Sequence, residues 1–120
     1  MKDRRRDVRL IEENKVVLSL MTGEVRPGVP GTYYSLTRDL SMSGLRVMTS
    51  APLEAGTRVR VELTLARPRK RIRAVAEVRW VRDLSGGEVF EAGLEFVGLD
   101  PDAEFALMDH IFGLKAGPAG

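Results

Sequence analysis

Cysteine is absent and histidine occurs once. Disulfide frameworks, thiolate metal centres and cysteine nucleophiles are thereby excluded, and any metal site would rest almost wholly on carboxylates. Aromatic residues make up only 6%, too few for a surface that stacks successive nucleic-acid bases. Near the N-terminus the one apolar run, Val16 to Met21, is short and interrupted by Ser19. Neither a signal peptide nor a membrane span is expected from it, and the reading is a cytoplasmic protein without membrane insertion. No charge sign dominates: 19 Lys+Arg against 17 Asp+Glu leave +2, short of what coating a nucleic-acid polymer demands. What is present suits one compact domain, with 120 residues of which 43% are hydrophobic. Only four of the 19 basic residues are lysine, and arginine's planar fork suits bidentate contacts to phosphate and guanine edges.

Hydrophobic periodicity predicts a mainly β chain. Val16 to Met21 reads as a buried strand, and Gly23 to Thr32, with Pro27 and Pro30, as a surface connection. A second strand starts near Tyr33 and leads through Gly44 into a third over Leu45 to Met48. After a turn at Pro52 to Gly56, Val59, Val61, Leu63 and Leu65 alternate with Arg58, Arg60, Glu62 and Thr64, the period-2 mark of a half-buried strand. Ile72, Ala74, Ala76, Val78 and Trp80 share the core face of a fifth, which puts Trp80 inside and not on a stacking platform. Phe90, Ala92, Leu94 and Phe96 mark a sixth. The one helical pattern follows Asp100 and Pro101, and Phe105, Met108, Ile111 and Phe112 form the stripe expected to pack on the sheet. The predicted architecture is a small six-stranded antiparallel β-barrel with a C-terminal α-helix. Residues 1–15 are expected to form a flexible arginine-rich arm, 16–115 the barrel with its helix, and 116–120 a frayed tail.

Two polar motifs stand apart from this frame. Arg5 and Arg9 are spaced as RxxxR, and Asp39, Ser41 and Gly44 as DxSxxG. In an extended segment Asp39, Ser41 and Ser43 project from one face while Leu40 and Met42 project into the core. A carboxylate there can accept from the N1–H and N2–H2 donors of guanine, and Gly44 permits close backbone approach. The pair of motifs, in this order and ahead of antiparallel strands, resembles the PilZ family of bacterial cyclic di-GMP receptors. Gly93-Leu94-Glu95-Phe96 resembles that family's glycine-containing final strand.

The resemblance implies a PilZ-like barrel whose ligand is cyclic di-GMP; no cofactor, metal or catalytic residue is expected, since the sequence has neither a glycine-rich phosphate loop before a helix nor paired acids at metal-ligand spacing. The resemblance also implies that Arg5 and Arg9 hold phosphates and guanine faces, that Asp39 and Ser41 read guanine, and that Gly44 shapes the turn. Arg4, just before the first motif arginine, is the position that in the family accompanies a stacked ligand dimer, so two ligands per chain are expected. Ser43 and Gly93 are further candidates. One small domain leaves no room for an output of its own, so the signal would pass to an effector protein as the arm becomes ordered. The alternatives are a PilZ-like adaptor that no longer binds nucleotide and, further off, a small RNA-binding barrel. Asp109 beside His110 suggests acid–base work only weakly, and Arg67 to Arg73 reads as a charged hairpin tip.

Overall fold

Alternation of β-branched and charged residues drives the chain into strands whose inward side chains meet on a common axis. In β4 (Arg58–Leu65) Val59, Val61, Leu63 and Leu65 are buried while Arg58, Arg60 and Thr64 are exposed, and each large apolar side chain buried this way contributes about 1.5–3 kcal/mol. The computed structural model describes residues 8–21, 23, 27–66 and 69–113. The other strands are β1 (Lys15–Leu20), β2 (Thr32–Leu40), β3 (Gly44–Thr49), β5 (Lys70–Asp83) and β6 (Phe90–Leu99). All neighbours are antiparallel, and the sheet closes into a barrel in the order β1-β2-β3-β6-β5-β4. Closure satisfies both edges of every strand.

Helix α1 (Pro101–Met108) is capped by Asp100, whose carboxylate accepts from the Ala103 amide at 2.8 Å, and it runs into a π-helical turn at Asp109–Gly113. The face it buries differs from the expected stripe. Ala103, Ala106, Leu107, His110 and Ile111 point inward, whereas Phe105 is 73% exposed and Met108 is also exposed. Residues 103, 106, 107, 110 and 111 follow helical spacing as well as the bulkier set does, and the two alanines let the helix axis approach the barrel closely. Phe112 alone of the expected aromatic pair packs against the core.

Two β-bulges reorient the strands that matter most. Between Thr37 and Asp39 the β2–β3 register shifts, and between Val78 and Trp80 the β5–β6 register shifts. Before the first shift odd-numbered Ser35 and Thr37 face inward; after it Leu40 does, and Asp39 turns to the outer surface. Past the second shift Val81 takes the inward phase and Trp80 turns out. A bulge exchanges the faces of every residue beyond it.

The segment preceding β1 lies along the barrel. Leu10 and Leu40 exchange backbone hydrogen bonds at 2.8 and 3.0 Å, and the Thr37 amide donates to the Asn14 carbonyl at 3.0 Å. Thr37 Oγ1 accepts from the Asn14 amide and donates to the Glu12 carbonyl, both at 2.9 Å. The Glu12 carboxylate in turn meets buried His110 of the π-helical turn, joining the two ends of the described chain.

Candidate ligand-binding site

The two bulges create one continuous cross-strand row. Asp39 pairs with Arg46, Arg46 with Gly93, and Gly93 with Trp80, across β2, β3, β6 and β5. This row floors an open cavity of about 560 Å³ on the outer wall of the barrel, where Arg9, Ser43, Arg79 and Glu95 complete the lining. Such a volume lies within the range of small-molecule sites.

Asp39 is 5% exposed and paired on both oxygens, with Arg9 Nη1 at 2.7 Å from Oδ1 and Arg46 Nη2 at 2.9 Å from Oδ2. Arg46 also reaches Glu91, 3.7 Å away, and Glu91 meets Arg82 with its other oxygen. Positive and negative groups thus alternate from Arg9 through Asp39, Arg46 and Glu91 to Arg82. The buried carboxylates gain the partners they require. Arg79 is held by Glu77 at 3.2 Å and by Glu95.

Two glycines make this surface possible. A Cβ on Gly93 would collide with the indole of Trp80, so the ring lies directly over the Gly93 backbone. A Cβ on Gly44 would collide with the Leu94 carbonyl oxygen. The close approach at Gly44 is therefore to β6, in addition to the approach to ligand expected from the sequence.

Of the residues expected from the sequence, the motif residues Arg9, Asp39 and Gly44 and the further candidates Ser43 and Gly93 come together at the cavity. Arg4 and Arg5 lie outside the described residues. The single polar face expected from Asp39 to Ser43 does not continue through Ser41, because the strand ends at Leu40 and a tight turn begins. Ser41 is fully buried; its amide donates to the Gly44 carbonyl at 2.9 Å, and its Oγ accepts from the Ser43 amide at 3.2 Å. It organises the turn that presents Ser43 and Gly44.

Trp80 corrects the sequence reading most sharply. It is 42% exposed and lines the cavity instead of the core. Arg46 and Arg79 were missed as site residues for lack of any motif spacing. Among the described residues no cluster of three or more His, Cys, Asp or Glu is placed to hold a metal, and no helix is long and apolar enough to cross a membrane. His110 is buried beside Glu12, away from the cavity lining.

The family model described as PilZ domain matches residues 3–113. The chain belongs to the PilZ domain family. No curated protein sequence matches it, but solved PilZ structures share its fold. Against the inhibitor of motility MotI/DgrA of Bacillus subtilis the TM-score is 0.70 at 18% identity, covering 94% of this chain and 52% of that one. The chain thus spans about half the length of MotI. The PilZ domain of CeSA from a cellulose-synthesizing bacterium gives 0.62 at 21% identity, covering 90% of this chain and 98% of that one. The PilZ domain of YcgR from Escherichia coli, solved with c-di-GMP, gives 0.60 at 17% identity, with 85% and 82% covered. The barrel with its C-terminal helix is a PilZ fold.

Proposed function

We propose that this PilZ protein is a non-catalytic receptor for cyclic di-GMP that passes the signal to an effector protein through its N-terminal arm. The observation that carries the reading is the row Asp39, Arg46, Gly93 and Trp80 with Arg9 above it. It sets a carboxylate acceptor, two guanidinium groups and an exposed indole around one cavity. The carboxylate accepts from the guanine N1–H and N2–H2 donors, and the indole offers a face to a purine ring, worth about 1–3 kcal/mol per stacked base.

Arg9 holds Asp39 through N–H donors, as the guanine edge would. Binding exchanges the two: guanine takes Asp39, and Arg9 moves to a phosphate, where a charge-assisted hydrogen bond contributes about 1.5–3 kcal/mol. Arg5 joins Arg9 on the dianion, and Arg4 supports a second, stacked ligand. Ser41 and Gly44 hold the turn, and Ser43 contributes a hydroxyl at the cavity. Because Arg9 adjoins Leu10, which is bridged to Leu40, and Glu12, which meets His110, its move alters the surface that residues 1–15 offer to a partner.

Trp80 is the only tryptophan, so its fluorescence reports the site directly. Cyclic di-GMP is expected to quench it saturably in the full chain, and Arg9→Ala is expected to abolish the response at the same concentrations. An unchanged spectrum in the wild type, together with no thermal shift, would overturn the receptor reading and favour a nucleotide-independent adaptor.

A further inference from the structure

Glu91 belongs to neither motif, yet it is 2% exposed and carries two arginines. By register it sits on β6 between Met48 of β3 and Arg82 of β5, one outward row beyond Gly93. Arg46 joins it to the ligand-reading carboxylate: one terminal nitrogen lies 2.9 Å from Asp39 Oδ2 and the other 3.7 Å from Glu91 Oε2. The buried Nε of Arg46 has no hydrogen-bond partner. Among the described residues the two ends of its guanidinium therefore carry the polar restraint on the side chain, and loss of the Glu91 end leaves it held at Asp39 alone.

The exchange at Asp39 makes this restraint consequential. When a guanine edge replaces Arg9, a carboxylate that is 5% exposed loses one of its two cations, and a buried charge left unpaired is strongly unfavourable. Arg46 has to stay. It nevertheless lines the same cavity as the incoming dianion, and an untethered arginine would turn to phosphate.

We propose, resting on the cyclic di-GMP reading above, that Glu91 and Arg46 form a positioning pair that sets guanine selectivity. Glu91 holds Arg46 away from phosphate, so that Arg46 remains the permanent counter-ion of Asp39. Each carboxylate oxygen has two lone pairs, so Asp39 keeps acceptor capacity for guanine while Arg46 stays bound. Adenine presents an acceptor at N1 and no 2-amino group, so it offers the acceptor oxygens of Asp39 no matching pair of donors. Releasing Arg46 strengthens phosphate contacts that every cyclic dinucleotide shares and loosens the contact that only guanine makes.

The test is calorimetric titration of the full chain with cyclic di-GMP and cyclic di-AMP at two salt concentrations, for wild type, Glu91→Gln and Arg46→Lys. NMR of the Arg46 guanidinium is recorded in the free proteins. Glutamine keeps the shape of Glu91 but turns an amide donor toward one of the two arginines, and lysine replaces the two-ended fork that reaches Asp39 and Glu91 from separate nitrogens with a single point charge. The ratio of the two affinities is expected to fall at least about tenfold in both variants, with steeper salt dependence in Glu91→Gln. The Arg46 guanidinium, rotationally restricted in the wild type, is expected to become mobile in Glu91→Gln. A folded Glu91→Gln protein with the wild-type ratio would overturn the proposal, as would equal losses for both ligands, which mark a purely structural role. If the wild type binds neither ligand, the receptor reading fails on its own. The tether is then decided by NMR: restriction released by Glu91→Gln supports it, and free rotation in the wild type refutes it.

Discussion

Gly44→Ala is the substitution whose cost can be worked most directly from the fold. Gly44 opposes Glu95 at the start of β3, and an added Cβ would run into the Leu94 carbonyl oxygen, with Leu94 C and Glu95 Cα each at 3.1 Å. All three atoms are backbone, so no side-chain rotation relieves the clash and β3 must move away from β6. Overpacking of a well-packed site costs about 1–3 kcal/mol, and each ladder hydrogen bond lost nearby adds about 1 kcal/mol. A total of about 3 kcal/mol is expected, equivalent to a fall in Tm of about 12 °C or more for a domain near this size. Gly98→Ala is the matched control, because its Cβ would meet only Val75 Cβ at 3.6 Å, an ordinary contact. Alanine there is expected to leave stability unchanged or raise it by about 0.5–1 kcal/mol, since glycine weakens a strand. Thermal and urea unfolding followed by circular dichroism decide the matter. If Gly44→Ala melts within 2 °C of wild type, about 0.5 kcal/mol or less, the close approach of β6 is not what requires glycine.

The helix face gives a second prediction. Leu107 is fully buried and Phe105 is not, so Leu107→Ala is expected to cost about 2–5 kcal/mol, while Phe105→Ser stays within about 0.5 kcal/mol; the reverse order in urea unfolding would reinstate the aromatic stripe. A third concerns acid. Burial raises the Glu12 pKa, but hydrogen bonds from His110 and Asn14 and the charge of His110 outweigh it and leave the group below its ordinary 4.5. A depressed carboxylate stabilises the fold fully above its unfolded value and loses that stabilisation as pH falls through the folded one. Stability measured downward from pH 5 is therefore expected to fall more steeply in wild type than in Glu12→Gln, and parallel curves would contradict the pairing.

Much of the barrel was legible because its signals are local. The alternation in β4, the turn residues around Pro52 to Gly56 and the Asp100-Pro101 cap each act within a few residues, and the structure places strand and helix where they point. Asp39, Ser43 and Gly44 reach one cavity for the same reason, whereas Arg9 meets Asp39 from 30 residues away and was expected there only through the family resemblance. The bulges were hidden. Neither Arg38 nor Arg79 is a glycine, and bulge formation depends on the partner strand, so strict alternation carried Trp80 into the core when the register shift turns it out. The helix face was misjudged because bulk was weighed above spacing, although alanines at 103 and 106 pack closer. Glu12 and His110 lie 98 residues apart, and Arg46 and Glu91 meet only once β3 and β6 pair; such contacts have no trace in one sequence.

Guanine recognition at Asp39 is tested most directly by calorimetric titration of cyclic di-GMP into the full chain and into Asp39→Ala at fixed ionic strength, with GTP and cyclic di-AMP as competitors. Saturable binding to the wild type that neither competitor displaces at equal concentration, a stoichiometry of two ligands per chain, and loss of binding in Asp39→Ala are expected. Binding that survives in Asp39→Ala, or that cyclic di-AMP displaces as readily as cyclic di-GMP itself, would contradict guanine recognition at this carboxylate.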